Sequence, residues 1–159
     1  MPILHSQVVL QTKGPDGKTI ILPPQAALQQ RGPIVQVSVT IEQNAGKALV
    51  AQGKAVPPPQ VGFALIDTGA SNSCIDEQAA QKLGLPVIDQ GFMLSATHEK
   101  VACNIYPVLI TTPIMNFNVP RAMGASLAAH GLVAIVGRDV LQRCNFFYNG
   151  LTGEFTLSV

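Results

Sequence analysis

Charge is scarce in this sequence. Its 159 residues hold 10 Lys and Arg and 9 Asp and Glu, 12% in all, about half the usual share of roughly 25%. The formal net charge is +1, so there is no electrostatic footprint for nucleic acid. Long apolar runs are missing too. No stretch approaches the ~18–20 residues that span a bilayer, and no membrane association is expected. Cys74, Cys103 and Cys144 are few, odd in number and widely spaced. They form no CxxC or Cys/His cluster, which argues against zinc and fits three thiols in a reducing compartment. His5, His98 and His130 are equally scattered, so no metal and no cofactor is expected. Residues Met1 to Leu10 have neither a basic n-region nor a long apolar h-region; no signal peptide is read there, and the expected location is cytoplasmic. The hydrophobic fraction of 47% excludes a disordered chain. With 14 Gly and 12 Pro spread along one domain's length, turns must be frequent. A soluble domain this poor in charge raises the expectation that part of its surface is not free.

No internal repeat is visible, and the turns mark out short strands. Leu4 to Thr12, the turn Gly14-Pro15-Asp16-Gly17 and Thr19 to Leu22 read as an N-terminal hairpin. Pro24 to Gln30 has room for one or two helical turns before Gly32-Pro33. Ile34 to Ile41 alternates apolar and polar residues as a half-buried strand does. Asn44 to Gln60, with Gly46, Gly53 and three consecutive prolines, reads as a loop or edge. Val61 to Ile66 and Ser73 to Ile75 are short strands. Asp76 is placed to cap a helix that Gly84 ends. Two strands follow, Phe92 to Thr97 and Val101 to Thr111, then Ile114 to Val119, with Ala122 to His130 left between loop and helical turn. Leu132 to Val136 is a fully apolar strand, Val140 to Cys144 a short helix, and Asn145 to Val159 a hairpin about Asn149-Gly150. Many short strands and one well-marked helix predict an all-β barrel or sandwich.

One segment carries chemistry. Phe63-Ala64-Leu65-Ile66-Asp67-Thr68-Gly69-Ala70-Ser71 is an apolar strand that delivers a lone carboxylate into a tight turn. A carboxylate there needs hydrogen bonds or a partner. On its own, Asp67 could simply open an Asx-turn. A second segment, Leu132-Val133-Ala134-Ile135-Val136-Gly137-Arg138-Asp139, is an apolar strand ending in Gly and then Arg-Asp. Asp-Thr-Gly-Ala after one hydrophobic strand, followed later by Ile-Val-Gly-Arg-Asp, resembles the retropepsin family of aspartic proteases, and among them the cellular and bacterial retropepsin-like domains. The resemblance runs from about Val61 to Tyr148. It divides the chain into an N-terminal hairpin extension, 1–31, and a retropepsin-like domain, 32–159.

The resemblance implies an all-β, closed or partly open barrel with one or two short helices, acting as a homodimer. It implies an aspartic endopeptidase that hydrolyses peptide bonds in peptides or unfolded proteins. Such chemistry needs two carboxylates that share a proton and hold one water. The chain has one Asp-Thr-Gly, so the second Asp67 is expected from a second copy. Asp67, Thr68 and Gly69 are the expected catalytic residues, with the Thr68 hydroxyl bonding across the dimer axis and Gly69 leaving that approach open. The expected substrate-binding residues are Ala70, Ser71, Ala96, Thr97, His98, Ile135 and Val136. A core role is weighed equally for Ile135 and Val136, and a solvated turn for His98.

Further implications follow from departures. Pepsin-like enzymes commonly carry Ser where Ala70 stands, and Ala lacks that hydroxyl; an optimum less acidic than pepsin's is expected, unless Ser71 supplies the donor. The hairpin Phe92 to Ile105, with its tip at Ala96-Thr97-His98-Glu99, stands where the family has a flap, but without a Gly-rich tip. Arg138 in the family pairs with an acid shortly after the catalytic turn. That position falls here on Ser71 or Asn72, leaving Asp76 or Asp139 as possible partners. Glu154 to Val159 has the alternation to interleave with a second chain as viral retropepsin termini do, and the N-terminal hairpin could extend that sheet, replace a strand in it or cover the core. The competing reading is a retropepsin-fold binding or scaffold protein with weak or no proteolysis. A third reading, a phosphoryl-transfer enzyme, finds little support: there is no Lys in the turn, no second Asp close by, no Gly-rich phosphate loop and no βαβ rhythm.

Overall fold

The computed structural model describes residues 2–94 and 100–159. In chain order they form β1 (Ile3–Gln7), β2 (Gln11–Lys13), β3 (Thr19–Ile21), α1 (Pro24–Arg31), β4 (Ile34–Thr40), α2 (Gln43–Ala51), β5 (Gln60–Ile66), β6 (Cys74–Asp76), α3 (Glu77–Lys82), β7 (Asp89–Leu94), β8 (Lys100–Thr111), β9 (Asn116–Ala125), a 3-10 turn (Ala128–His130), β10 (Ala134–Val136), α4 (Arg138–Leu141), β11 (Asn145–Asn149) and β12 (Glu154–Ser158). The described chain is mostly β with a few short helices.

The main sheet has the strand order β4-β5-β10-β6-β9-β8-β7. A further pairing of Ser38–Thr40 with Leu109–Thr111 joins β4 to β8 and curls the sheet back on itself. The curl follows from alternation. Val35, Val37 and Val39 of β4 turn inward, as do Ala64 and Ile66 of β5 and Val108 and Ile110 of β8, and they share one core. Proline sits where the ladder can spare an amide. Pro107 falls at the register shift between Tyr106 and Val108, where Pro120 and Arg121 of β9 are also unpaired.

Two local readings are corrected. Asn44 to Gln60 is not all loop, because α2 occupies Gln43–Ala51, with the Glu42 carboxylate accepting from the Asn44 and Ala45 amides. The helix has no fully buried residue; half-buried Ala45 and Leu49, with Leu49 packed on the core, mark its inward face, a weak stripe for a reader of the sequence. The N-terminal hairpin is only β2 and β3. The preceding strand, β1, leaves it to pair with β12, which also pairs with β11. Both ladders of β12 are therefore filled within one chain. The expected interleaving of Glu154 to Val159 with a second chain has no free edge on β12. Val8, Ala27 and Leu28 enter the same core as the rest of the chain.

Candidate active site

The topology explains why the two motifs lie so far apart in sequence. β10 threads between β5 and β6, parallel to β5 and antiparallel to β6. Asp67 prolongs β5 by one residue, its N–H donating to the Val136 carbonyl at 3.0 Å. The half-buried Asp67 carboxylate then turns back on its own backbone. Its Oδ1 accepts from Gly69 N–H at 2.8 Å and Ala70 N–H at 3.3 Å, and its Oδ2 has no partner among the described residues. Gly69 keeps this bond uncrowded, since a Cβ there would stand 3.0 Å from that same Oδ1 and push it aside. Thr68 is exposed, and its hydroxyl has no hydrogen-bond partner among the described residues.

The Gly137-Arg138-Asp139 turn clamps this loop from below. Gly137 lies against the Asn72–Ser73 peptide so closely that a Cβ would meet Asn72 C at 2.6 Å and O at 2.7 Å. Its N–H donates to Ser73 Oγ at 3.0 Å, and the Arg138 N–H to Ala70 O at 2.9 Å. The Asp139 carboxylate accepts from the fully buried Ser73 through both its N–H and its hydroxyl. The Arg138 guanidinium donates to Thr68 O at 2.7 Å, Gly69 O at 2.9 Å and Ser71 Oγ at 2.7 Å.

These contacts revise three expectations. Neither Asp76 nor Asp139 pairs with Arg138. Asp139 holds Ser73, and Asp76 accepts from Ala79, Leu127 and Ala128 amides. Backbone carbonyls and the Ser71 hydroxyl take the place of the missing acid. Ser71 Oγ accepts from Arg138, and among the described residues its hydroxyl makes no hydrogen bond to Asp67. The arginine acts on the loop, holding its carbonyls in place beneath Asp67.

The remaining expected residues divide. Ile135 is half-exposed and stands beside Leu65 and Cys74 in the cross-strand row Ile34, Leu65, Ile135, Cys74, Met123. This row lies on the sheet face to which Leu65 and Asp67 both belong by alternation. Val136 points the other way. It is 0% exposed, so it is core and offers no surface to a substrate. Ala70 and Ser71 lie beside Asp67 in the turn. Strands β7 and β8 do pair as a hairpin, Leu94 opposite Lys100. Its expected contact residues, Ala96, Thr97 and His98, lie outside the described residues.

Sequence reasoning missed two features. Cys74 lies on the face of Asp67, and burial, helped by Cys103, Asp139 and Asp67, pushes its thiol up to about 11. A pocket of about 660 Å³ is floored by Leu65 and Ile135, with Ile34 and Leu132 as apolar walls and Arg31 and His130 at its edge. The period-two pattern of β5 could have indicated Leu65; Arg31 could not be linked to the site without the fold.

Comparison with known proteins agrees with the motifs. Residues 60–109 match the aspartyl protease family. No curated protein matches the chain. Among solved structures, a retropepsin-like aspartic protease from Rickettsia conorii is similar at 15% identity and a TM-score of 0.43, over 98% of this chain and 92% of that one. Over residues 60–109, which hold Asp67 and its turn, the chain is thus similar to the aspartyl protease family.

Proposed function

We propose that this protein is an aspartic endopeptidase that works as a homodimer, each copy contributing one Asp67. The observation that carries the reading is the state of that carboxylate. Asp67 is half-buried, aimed by two backbone N–H groups on Oδ1, and unpartnered at Oδ2 among the described residues. The nearby acids are occupied elsewhere, Asp76 and Asp139 with backbone amides and Ser73. The second carboxylate thus comes from a second copy on a two-fold axis.

Two carboxylates at close range cannot both ionise cheaply, so the pair holds one proton between them. The ionised member takes a proton from water as the water oxygen attacks the peptide carbonyl carbon. The protonated member donates to the carbonyl oxygen. The tetrahedral intermediate then breaks its C–N bond as the amine nitrogen is protonated, giving an acid and an amine. No cofactor is required. The exposed Thr68 hydroxyl is free to bond across the axis. Arg138, held off the carboxylate, keeps the Thr68 and Gly69 carbonyls fixed. Because Ala70 offers Asp67 only its N–H and, among the described residues, the Ser71 hydroxyl makes no hydrogen bond to Asp67, no hydroxyl favours the ionised form, and the optimum lies at mildly acidic to near-neutral pH.

The test is cleavage of an unstructured protein from pH 3 to 8 by wild type and by Asp67→Asn. Loss of cleavage in Asp67→Asn supports the reading, and equal turnover rules it out. An optimum well below pH 4 would refute the Ala70 argument.

A further inference from the structure

The pocket lined by Leu65, two residues before Asp67 on β5, has a charge asymmetry that the peptidase reading does not use. Its floor, Leu65 and Ile135, is apolar, as are Ile34 and Leu132. Among the described residues that line it there is no carboxylate, and Arg31 is the one with a fixed charge. Arg31 is held there by the fold. It is the last residue of α1, and the next residue, Gly32, closes that helix at φ 70° by donating to Leu28 O at 2.9 Å. A Cβ on Gly32 would stand 2.7 Å from Leu65 Cδ1, so the helix end is seated directly against the pocket floor. Pro33 continues the attachment by accepting from Ile66 N–H. Across the pocket, the Arg31 guanidinium reaches to 3.6 Å from where a Cβ of Gly131 would stand. Among the described residues Arg31 has no ion-pair partner.

We propose that this pocket receives an apolar side chain of the substrate peptide and that Arg31 selects a carboxylate two residues away from it. The proposal rests on the endopeptidase reading for the word substrate, but the selection is a property of the pocket. In an extended peptide, side chains two positions apart fall on one face, roughly 7 Å from each other. An apolar group on Leu65 and Ile135 therefore brings a neighbouring Asp or Glu to the rim. A cation without a partner at the edge of an apolar, carboxylate-free pocket attracts that group and repels Lys or Arg there.

Two assays on the same peptides separate the two claims. The peptides are identical and extended, with a central Leu-Phe pair and Glu, Gln or Lys two residues to either side. One assay reads kcat/KM with wild type. The other reads binding of the labelled peptides to Asp67→Asn by fluorescence anisotropy, where no cleavage intervenes. The expected result is a preference for Glu over Gln of about threefold to fivefold, as an exposed ion pair provides. The Glu-to-Lys ratio is wider, shrinks with added salt, is retained in Arg31→Lys, lost in Arg31→Gln and inverted in Arg31→Glu. A ratio within one variant is unaffected by a general loss of folded protein. If the Glu-to-Lys ratio is the same in wild type and Arg31→Glu, the proposal is overturned, whether or not the peptides are cleaved. If the preference is present in binding while wild type cleaves nothing, Arg31 selection stands and the endopeptidase reading falls.

Discussion

Replacing Gly137 by Ala tests whether the two motifs are mechanically one unit. Gly137 has φ −93° and ψ −175°, a conformation any residue adopts, so the substitution brings no backbone strain. Its cost is collision. The new Cβ would lie 2.6 Å from Asn72 C, against 3.4 Å or more in ordinary contact. The Asn72–Ser73 peptide must therefore retreat by about 0.8 Å or more. Three of the hydrogen bonds that cross that gap are donated by the main-chain N–H groups of 137–139, Gly137 to Ser73 Oγ at 3.0 Å, Arg138 to Ala70 O at 2.9 Å and Asp139 to Ser71 O at 3.2 Å. A retreat of that size takes them out of hydrogen-bonding range. Each lost bond costs about 1 kcal/mol, and more for the fully buried Ser73. The expected destabilisation is about 3–5 kcal/mol, a large part of a typical 5–15 kcal/mol. In urea this moves the unfolding midpoint down by about 2 M for an ordinary dependence of roughly 2 kcal/mol/M. Gly46→Ala is the control. Its Cβ meets Ile41 at a relaxed 3.6 Å inside α2, and helix propensity predicts a gain of about 0.5–1 kcal/mol. A Gly137→Ala midpoint within about 0.3 M of wild type, beside a responsive control, would refute the reasoning.

Two further outcomes follow from the same site. Ser71→Asp puts a carboxylate where Arg138 Nη2 now lies 2.7 Å from the Ser71 hydroxyl; the pair is exposed, so the expected gain is at most about 1 kcal/mol, read by urea midpoint and abolished by high salt. Cys74, pushed up to about 11, stays a protonated thiol in the folded protein. At pH 8 its alkylation should therefore be slower by about a hundredfold than in the unfolded chain, from ionisation alone. Because the folded value is raised, the stability it reflects is present below the ordinary thiol range and fades as pH climbs toward 11. Alkylation at equal rates in folded and unfolded protein, followed by mass spectrometry, would contradict the placement of Cys74.

The legible parts of the fold are those whose partners are near in sequence or whose pattern is strong. β4 was readable from strict alternation, and α3 from the Asp76 cap, whose carboxylate does accept from Ala79 N–H. The β11–β12 hairpin followed from its turn residues. What escaped was non-local or unpatterned. Nothing in Ile3–Gln7 says that its partner is β12, at the other end of the chain, because pairing over that span is decided by the closing of the sheet. α2 turns half-buried Ala45 and Leu49 toward the core, and no fully buried residue. Within the site, Asp67, its turn and the second motif were visible as residues. The role of Asp139 was not, because the buried Ser73 it satisfies becomes its neighbour only when β10 threads between β5 and β6. Arg31 was invisible for the same reason, reaching the pocket through Gly32 against Leu65. The low charge of the sequence fits a sheet face left apolar at Leu65 and Ile135.

The measurement that bears most directly on the central claim is a mixing experiment. A fixed amount of wild type is equilibrated with increasing Asp67→Asn, and cleavage of an unstructured protein is followed. If two Asp67 carboxylates act together, each mixed pair is inactive, and activity falls steadily as the variant captures wild-type copies. Activity that stays constant as the variant is added would mean that one chain suffices, and would contradict the paired mechanism.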